Sequence, residues 1–84
     1  MHITIRQLQV FEAVARHLSY TRAAEELHLT QPAVSMQIKQ MESSIGLPMF
    51  EQIGKKIYLT QAGDAMLVHA RTIMPVSYTH LRAH

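Results

Sequence analysis

Apolar residues recur at spacings of three and four from Ile5 through Leu8, Phe11 and Ala15 to Leu18, which gathers them on one stripe of a helix. This predicts a first helix with Thr4 as its N-cap. The pattern breaks at Ser19-Tyr-Thr21, whose hydroxyls can cap the next element, and Arg22-Ala-Ala-Glu-Glu-Leu27 reads as a short second helix. Its Ala23-Ala24 pair removes bulk where another helix could cross at about 8 to 10 Å, although simple helix propensity explains alanine almost as well. His28-Leu-Thr30 is a three-residue connection. Pro32 then falls in the first turn of a third helix, where its missing N–H costs nothing. Val34, Ile38, Met41 and Ile45 form the inward face of that helix, and Gly46 and Pro48 stop it. A short helix, a three-residue turn and a longer helix are the arithmetic of a helix-turn-helix.

Beyond Gly46 the period changes. Phe50 is expected to be buried, and Ile57 and Leu59 alternate with Tyr58 in the period-two manner of a strand, with Gly54 supplying a turn. The expected element is a small β-hairpin, a wing, with Lys55 and Lys56 near its tip. Thr60 then caps a fourth helix over 62–74, in which Ala65, Met66, Val68, His69, Ile73 and Met74 follow a helical pattern. That helix is too apolar for a bare linker and calls for a partner surface. The expected fold is therefore mainly α: a winged helix-turn-helix over 1–60, with the helix-turn-helix at about 20–39, followed by the start of a linker helix over 61–74. Pro75 ends the periodicity. Val76-Ser-Tyr-Thr-His-Leu-Arg-Ala-His84 resembles the translation of a sequencing-adaptor end, so 75–84 is expected to be non-native and is left out of fold and function.

Composition narrows the function classes. A chain of 84 residues has room for one small domain, and 48% hydrophobic with 17% charged residues is ordinary for a soluble globular protein. No apolar run approaches the roughly 18 to 20 residues of a membrane span, and no secretory h-region opens the chain, so the cytoplasm is expected. With no cysteine there is no disulfide framework and no thiolate metal site. A net charge of +2 is too small to name a nucleic-acid binder, although a pI near 9.3 permits one. Glu25-Glu26 are expected on an exposed helix face, while Lys39, Lys55 and Lys56 fall in and after the third helix.

The six histidines carry no metal signature. His2, His17, His28 and His69 show no i, i+4 pairing, and His80 and His84, which do, lie in the suspect tail. No nucleophile elbow, phosphate-binding glycine loop or dinucleotide fingerprint is present. Glu25 and Glu26 point in neighbouring directions and make a poor acid/base pair. Neither an enzyme nor a cofactor is expected.

The third helix is more informative. Opposite its inward face lie Pro32, Met36, Lys39, Gln40 and Ser43, with Gln31 and Ser35 on one shoulder. An outward Met36 suits apolar contact, for instance with a thymine methyl in the major groove. Gln31 can pair with adenine N6 and N7, and Ser35 can bond to base or phosphate. The bland alternative is an amphipathic helix with a neutral polar surface. Two rival functions follow: a helical protein-protein interaction module docking through the Met36 face, and a fragment of an enzyme whose catalytic half lies elsewhere.

Five ordered motifs carry a resemblance. Ile5-Arg-Gln-Leu-Gln-Val-Phe-Glu-Ala-Val14, Ser19-Tyr-Thr-Arg-Ala-Ala-Glu-Glu-Leu27, Thr30-Gln-Pro-Ala-Val-Ser-Met-Gln-Ile38, Leu47-Pro-Met-Phe-Glu51 and Leu59-Thr-Gln-Ala-Gly63 closely resemble the N-terminal domain of LysR-type transcriptional regulators. Phe50 to Leu59 looks most like the subgroup controlling carbon-fixation operons. The resemblance implies a recognition helix in the major groove of double-stranded DNA and a wing at the minor groove. It places base contacts at Gln31, Pro32, Ser35 and Met36, and backbone contacts at Thr21, Arg22, Thr30 and Lys39, with Lys55 and Lys56 on the wing. Lys55 stands where arginine is common, Gln52 replaces the arginine of a familiar Phe-Glu-Arg, and Met36 replaces a common arginine, which shifts preference away from guanine. It also implies a homodimer through Ala65, Met66, Val68, His69 and Ile73 of the linker helix, a tetramer in full-length relatives, and an effector-binding domain missing from this chain.

Overall fold

The computed structural model describes residues 2–73; Met74, the 75–84 tail and its His80 and His84 pair lie outside the described residues. Four helices and one hairpin follow in the order α1 (Ile5–His17), α2 (Tyr20–Leu27), α3 (Gln31–Ile45), β1 (Phe50–Ile53), β2 (Lys56–Leu59) and α4 (Gln61–Ile73).

Thr4 caps α1 reciprocally: its hydroxyl accepts from the Gln7 N–H at 3.0 Å, and the Gln7 side chain accepts from the Thr4 N–H at 3.1 Å. The helix ends where Leu18 turns left-handed (φ 49°) and donates its N–H to the Val14 carbonyl. Its buried arc is broader than the expected stripe. Leu8, Phe11 and Ala15 are inside, and so are Val10, Ala13 and Val14, because α2, α3 and α4 all pack on α1. Ile5 and Leu18 are exposed instead, at 54% and 43%. Leu18 has left the helical path, and Ile5 sits in the first turn.

Ser19 caps α2 by accepting the Arg22 N–H at 3.1 Å, so the helix begins at Tyr20, two residues earlier than expected. Ala23 and Ala24 are both buried, and α2 packs against α1 and α3 there without large side chains to separate the axes. Thr30 caps α3, Pro32 occupies its first turn, and Gly46 (φ 85°) closes it. Val34, Ile38 and Met41 are fully inside, whereas Ile45 is only half-buried near the helix end.

The hairpin pairs Phe50 with Leu59, Glu51 with Tyr58, Gln52 with Ile57 and Ile53 with Lys56. Gly54 and Lys55 form the two-residue turn, with positive φ at Gly54 (65°) and not at Lys55, the pattern of a type II′ turn. Phe50, Gln52, Ile57 and Leu59 thereby share the inner face, and Glu51, Ile53, Lys56 and Tyr58 the outer one. Phe50 is half-buried; the fully buried residue is Met49 just before the strand, which the period-two pattern does not reach. The Phe50 ring lies 5.5 Å from that of Phe11 and 6.0 Å from that of Tyr20, which roots the wing in α1 and α2.

Thr60 ties the hairpin to α4. Its N–H donates to the Met49 carbonyl at 3.0 Å, its hydroxyl donates to the Pro48 carbonyl at 2.6 Å, and the same oxygen accepts the Gly63 N–H at 2.9 Å. Gly63 is required by this close approach, since a β-carbon would collide with the Met49 carbonyl oxygen and come within 2.9 Å of Leu59 Cδ2. Leu67 and Ala70 anchor α4 in the core.

Acidic residues depart from expectation. Glu25 is exposed, but Glu26 is half-buried and faces α1. The Arg16 guanidinium bridges Glu26 (two contacts of 2.8 Å) and Glu12 (3.0 and 2.8 Å), and His17 Nε2 lies 2.7 Å from Glu26. The hydrogen bonds to Glu26, then those to Glu12, raise the already high pKa of Arg16. Sequence spacing shows the Glu12 and Arg16 pair as i, i+4; the reach from α1 to α2 appears only in three dimensions.

Candidate nucleic-acid interface

Burying Val34, Ile38 and Met41 forces the opposite face of α3 outward. Gln31, Pro32, Met36, Lys39 and Gln40 are exposed there, Met36 at 56%, and Ser35 is half-buried on the shoulder. The capping hydroxyl of Thr30 accepts the Ala33 N–H at 3.2 Å, which fixes the start of the helix. Thr21 and Arg22 are exposed in the first turn of α2, and the Thr21 hydroxyl donates to Gln31 Oε1 at 3.4 Å.

The start of α2, the start of α3 and the wing enclose a cleft of about 280 Å3 lined by Ser19, Tyr20, Thr21, Gln31, Gln52 and Lys55. This brings together Thr21, Gln31 and Lys55, residues separated by up to 34 positions (55 − 21) in the chain. Lys39 belongs elsewhere, to a depression with Glu42, Ser43, Gly46, Leu47 and Pro48. Lys56 lies at the head of β2 on the outer face beside Ile53, away from the cleft. Gln52, which the sequence marks only as a departure from arginine, lines the cleft and donates through Nε2 to the Gly54 carbonyl at 3.2 Å. Period-two alternation from Phe50 carries the signal for it. Tyr20, which the sequence does not mark as a site residue, also lines the cleft; burial, and secondarily the charge of Glu42, raises its pKa.

On α4, Ala65, Val68, His69 and Ile73 are exposed, and Met66 is half-buried against the core. Among the described residues, no group of three or more His, Cys, Asp or Glu is arranged to hold a metal ion, and no helix is long and apolar enough to cross a membrane.

Residues 5–64 match the family described as "Bacterial regulatory helix-turn-helix protein, lysR family". The chain belongs to the LysR family. It is 63% identical over 73 residues to the RuBisCO operon transcriptional regulator of Allochromatium vinosum, covering 87% of this chain and 24% of that protein. It is also 63% identical over 70 residues to the HTH-type transcriptional regulator CbbR of Rhodospirillum rubrum, covering 83% and 24%. The chain thus spans about a quarter of the length of the curated relatives it matches. Its fold superposes on the CbnR_DBD-DNA complex with a TM-score of 0.82 at 36% identity, covering 96% of this chain and 97% of that one. The segment carries this family's helix-turn-helix in a winged-helix fold, and the relatives it matches are named transcriptional regulators.

Proposed function

We propose that this LysR-family domain reads an interrupted palindrome with T-rich and A-rich half-sites, as one half of a homodimer joined through α4. The observation that carries the reading is the 56% exposure of Met36 on the same α3 surface as Gln31 and Pro32, with Lys55 across an open cleft. In the major groove Met36 packs on a thymine methyl and Gln31 pairs with adenine, while Pro32 and Ser35 complete the base contacts. Thr30, Lys39 and the backbone N–H groups of the Thr21-Arg22 helix start hold the phosphates, and the Lys55-Lys56 wing lies at the minor groove. Two-fold symmetry of the protein is mirrored in the operator.

The exposed residues Ala65, Val68, His69 and Ile73, with part of Met66, supply the dimer face. We further propose that the parent protein is a tetramer that acts in the cytoplasm and carries an effector-binding domain outside this segment. The 63% identity to the RuBisCO operon transcriptional regulator of Allochromatium vinosum supports control of a carbon-fixation operon by the parent protein. In this reading 1–60 is the DNA-binding unit, 61–74 is the start of the linker helix, and 75–84 is non-native. Likeness to a DNA-bound structure disfavours a protein-interaction module docking through the Met36 face.

A gel-shift titration over salt tests the reading. Affinity is expected to fall log-linearly with salt, and Lys55→Gln with Lys56→Gln should reduce the slope by about 2. A flat salt response contradicts phosphate contact. Gln31→Ala should weaken specific binding by about 1 to 3 kcal/mol and leave non-specific binding nearly intact; equal loss on both DNAs sinks its base-reading role.

A further inference from the structure

We propose that Thr21 is a positioning residue for base reading, whose hydroxyl holds the Gln31 amide oxygen on the α2 side and so fixes the order in which the amide oxygen and NH2 meet a base. The inference rests on Gln31 reading a base. A glutamine amide is nearly symmetric in shape but opposite in chemistry at its two ends, so turning it over exchanges a donor for an acceptor. At an exposed position nothing within the side chain chooses between the two. Here one contact and two charges beside it together favour one orientation.

The Thr21 hydroxyl donates to Oε1 at 3.4 Å. A hydroxyl can also accept, so this contact alone leaves the reverse orientation open. Thr21, however, is the second residue of α2, and the positive end of the helix dipole at its first turn attracts the amide oxygen and repels the NH2 hydrogens. The Lys55 ammonium lines the same cleft and acts in the same sense. With the oxygen held on the α2 side, Nε2 makes no hydrogen bond among the described residues and remains available. It can donate to adenine N7, while the second lone pair of Oε1 takes adenine N6–H. An overturned amide would present oxygen outward and accept from cytosine N4–H2 instead. Thr21 therefore sharpens the choice of adenine over cytosine at that position.

The test is affinity selection of the 84-residue chain on double-stranded DNA randomised over two helical turns, sequenced before and after capture. Gln31→Ala locates the base pair that Gln31 reads. At that pair, Thr21→Val should lower discrimination between adenine and cytosine by about five-fold to ten-fold, part of what a bidentate contact supplies. Preferences elsewhere should not change, Thr21→Ser should retain discrimination, and Thr21→Val should have no further effect in the Gln31→Ala background. Unchanged helical circular dichroism excludes misfolding of the variants. If Thr21→Val weakens every sequence equally, the hydroxyl serves a phosphate and the positioning role is overturned while Gln31 keeps its own. If Gln31→Ala changes no preference, base reading by Gln31 fails first and the inference falls with it.

Discussion

Arg16→Leu is expected to destabilise the domain by about 3 kcal/mol, measured as a lower urea midpoint at unchanged m-value. Arg16 holds both Glu12 and Glu26 through four contacts of 2.8 to 3.0 Å, and the Glu12 side chain is only 6% exposed. Deleting the cation strands a carboxylate where water reaches it poorly, which costs more than the ion pair itself is worth. Partial exposure of Arg16 and Glu26, at 21% and 25%, keeps the loss at the lower end of the range for broken buried pairs. Replacing all three together, as Glu12→Leu, Arg16→Met and Glu26→Leu, removes the stranded charge and should cost less than Arg16→Leu alone. A single variant within about 1 kcal/mol of the parent would assign the network to the weak surface class. Because the network spans α1 and α2, its loss should also relax the angle at which α2 presents Thr21.

Phe11→Ala should cost about 3 to 5 kcal/mol, a large share of the roughly 5 to 15 kcal/mol that stabilises a typical domain. Phe11 is fully buried, and its ring meets Phe50 at 5.5 Å, so truncation opens a cavity and unroots the wing together. Urea unfolding reads the first effect. Amide exchange at Tyr58 and Thr60, whose N–H groups face across the hairpin, reads the second and should quicken in Phe11→Ala even where the domain remains folded. Phe50→Ala should cost less, since that ring is only half-buried. Equal losses for the two variants, or unchanged exchange in β2, would contradict this account of the wing.

Much of the architecture is legible along the chain because it depends on local signals. Thr4, Ser19, Thr30 and Thr60 each accept a backbone N–H three residues on. A short-range hydrogen bond leaves a short-range sequence trace. Val34, Ile38 and Met41 lie inside as their period requires, and Met36 lies outside for the same reason. The misses have a common physical origin. Ile5 and Leu18 fit the helical period but lack a neighbour to cover them, and Met49 is buried by the junction of α3, β1 and α4, not by any periodicity of its own. Glu26 reads as surface until Arg16 reaches it from another helix.

The proposed recognition surface divides in the same way. Sequence alone determined that α3 exists, where it starts and stops, and which residues face away from the core, since helical period and capping are properties of consecutive residues. Tertiary structure decided that Thr21, Gln31, Gln52 and Lys55 line one cleft while Lys39 and Lys56 lie outside it, and that Thr21 touches Gln31 at all. Those placements depend on the crossing of α2 over α3 and on the direction of the hairpin. Both are set by packing among Ala23, Ala24, Phe11 and Phe50, whose contacts join residues far apart in the chain.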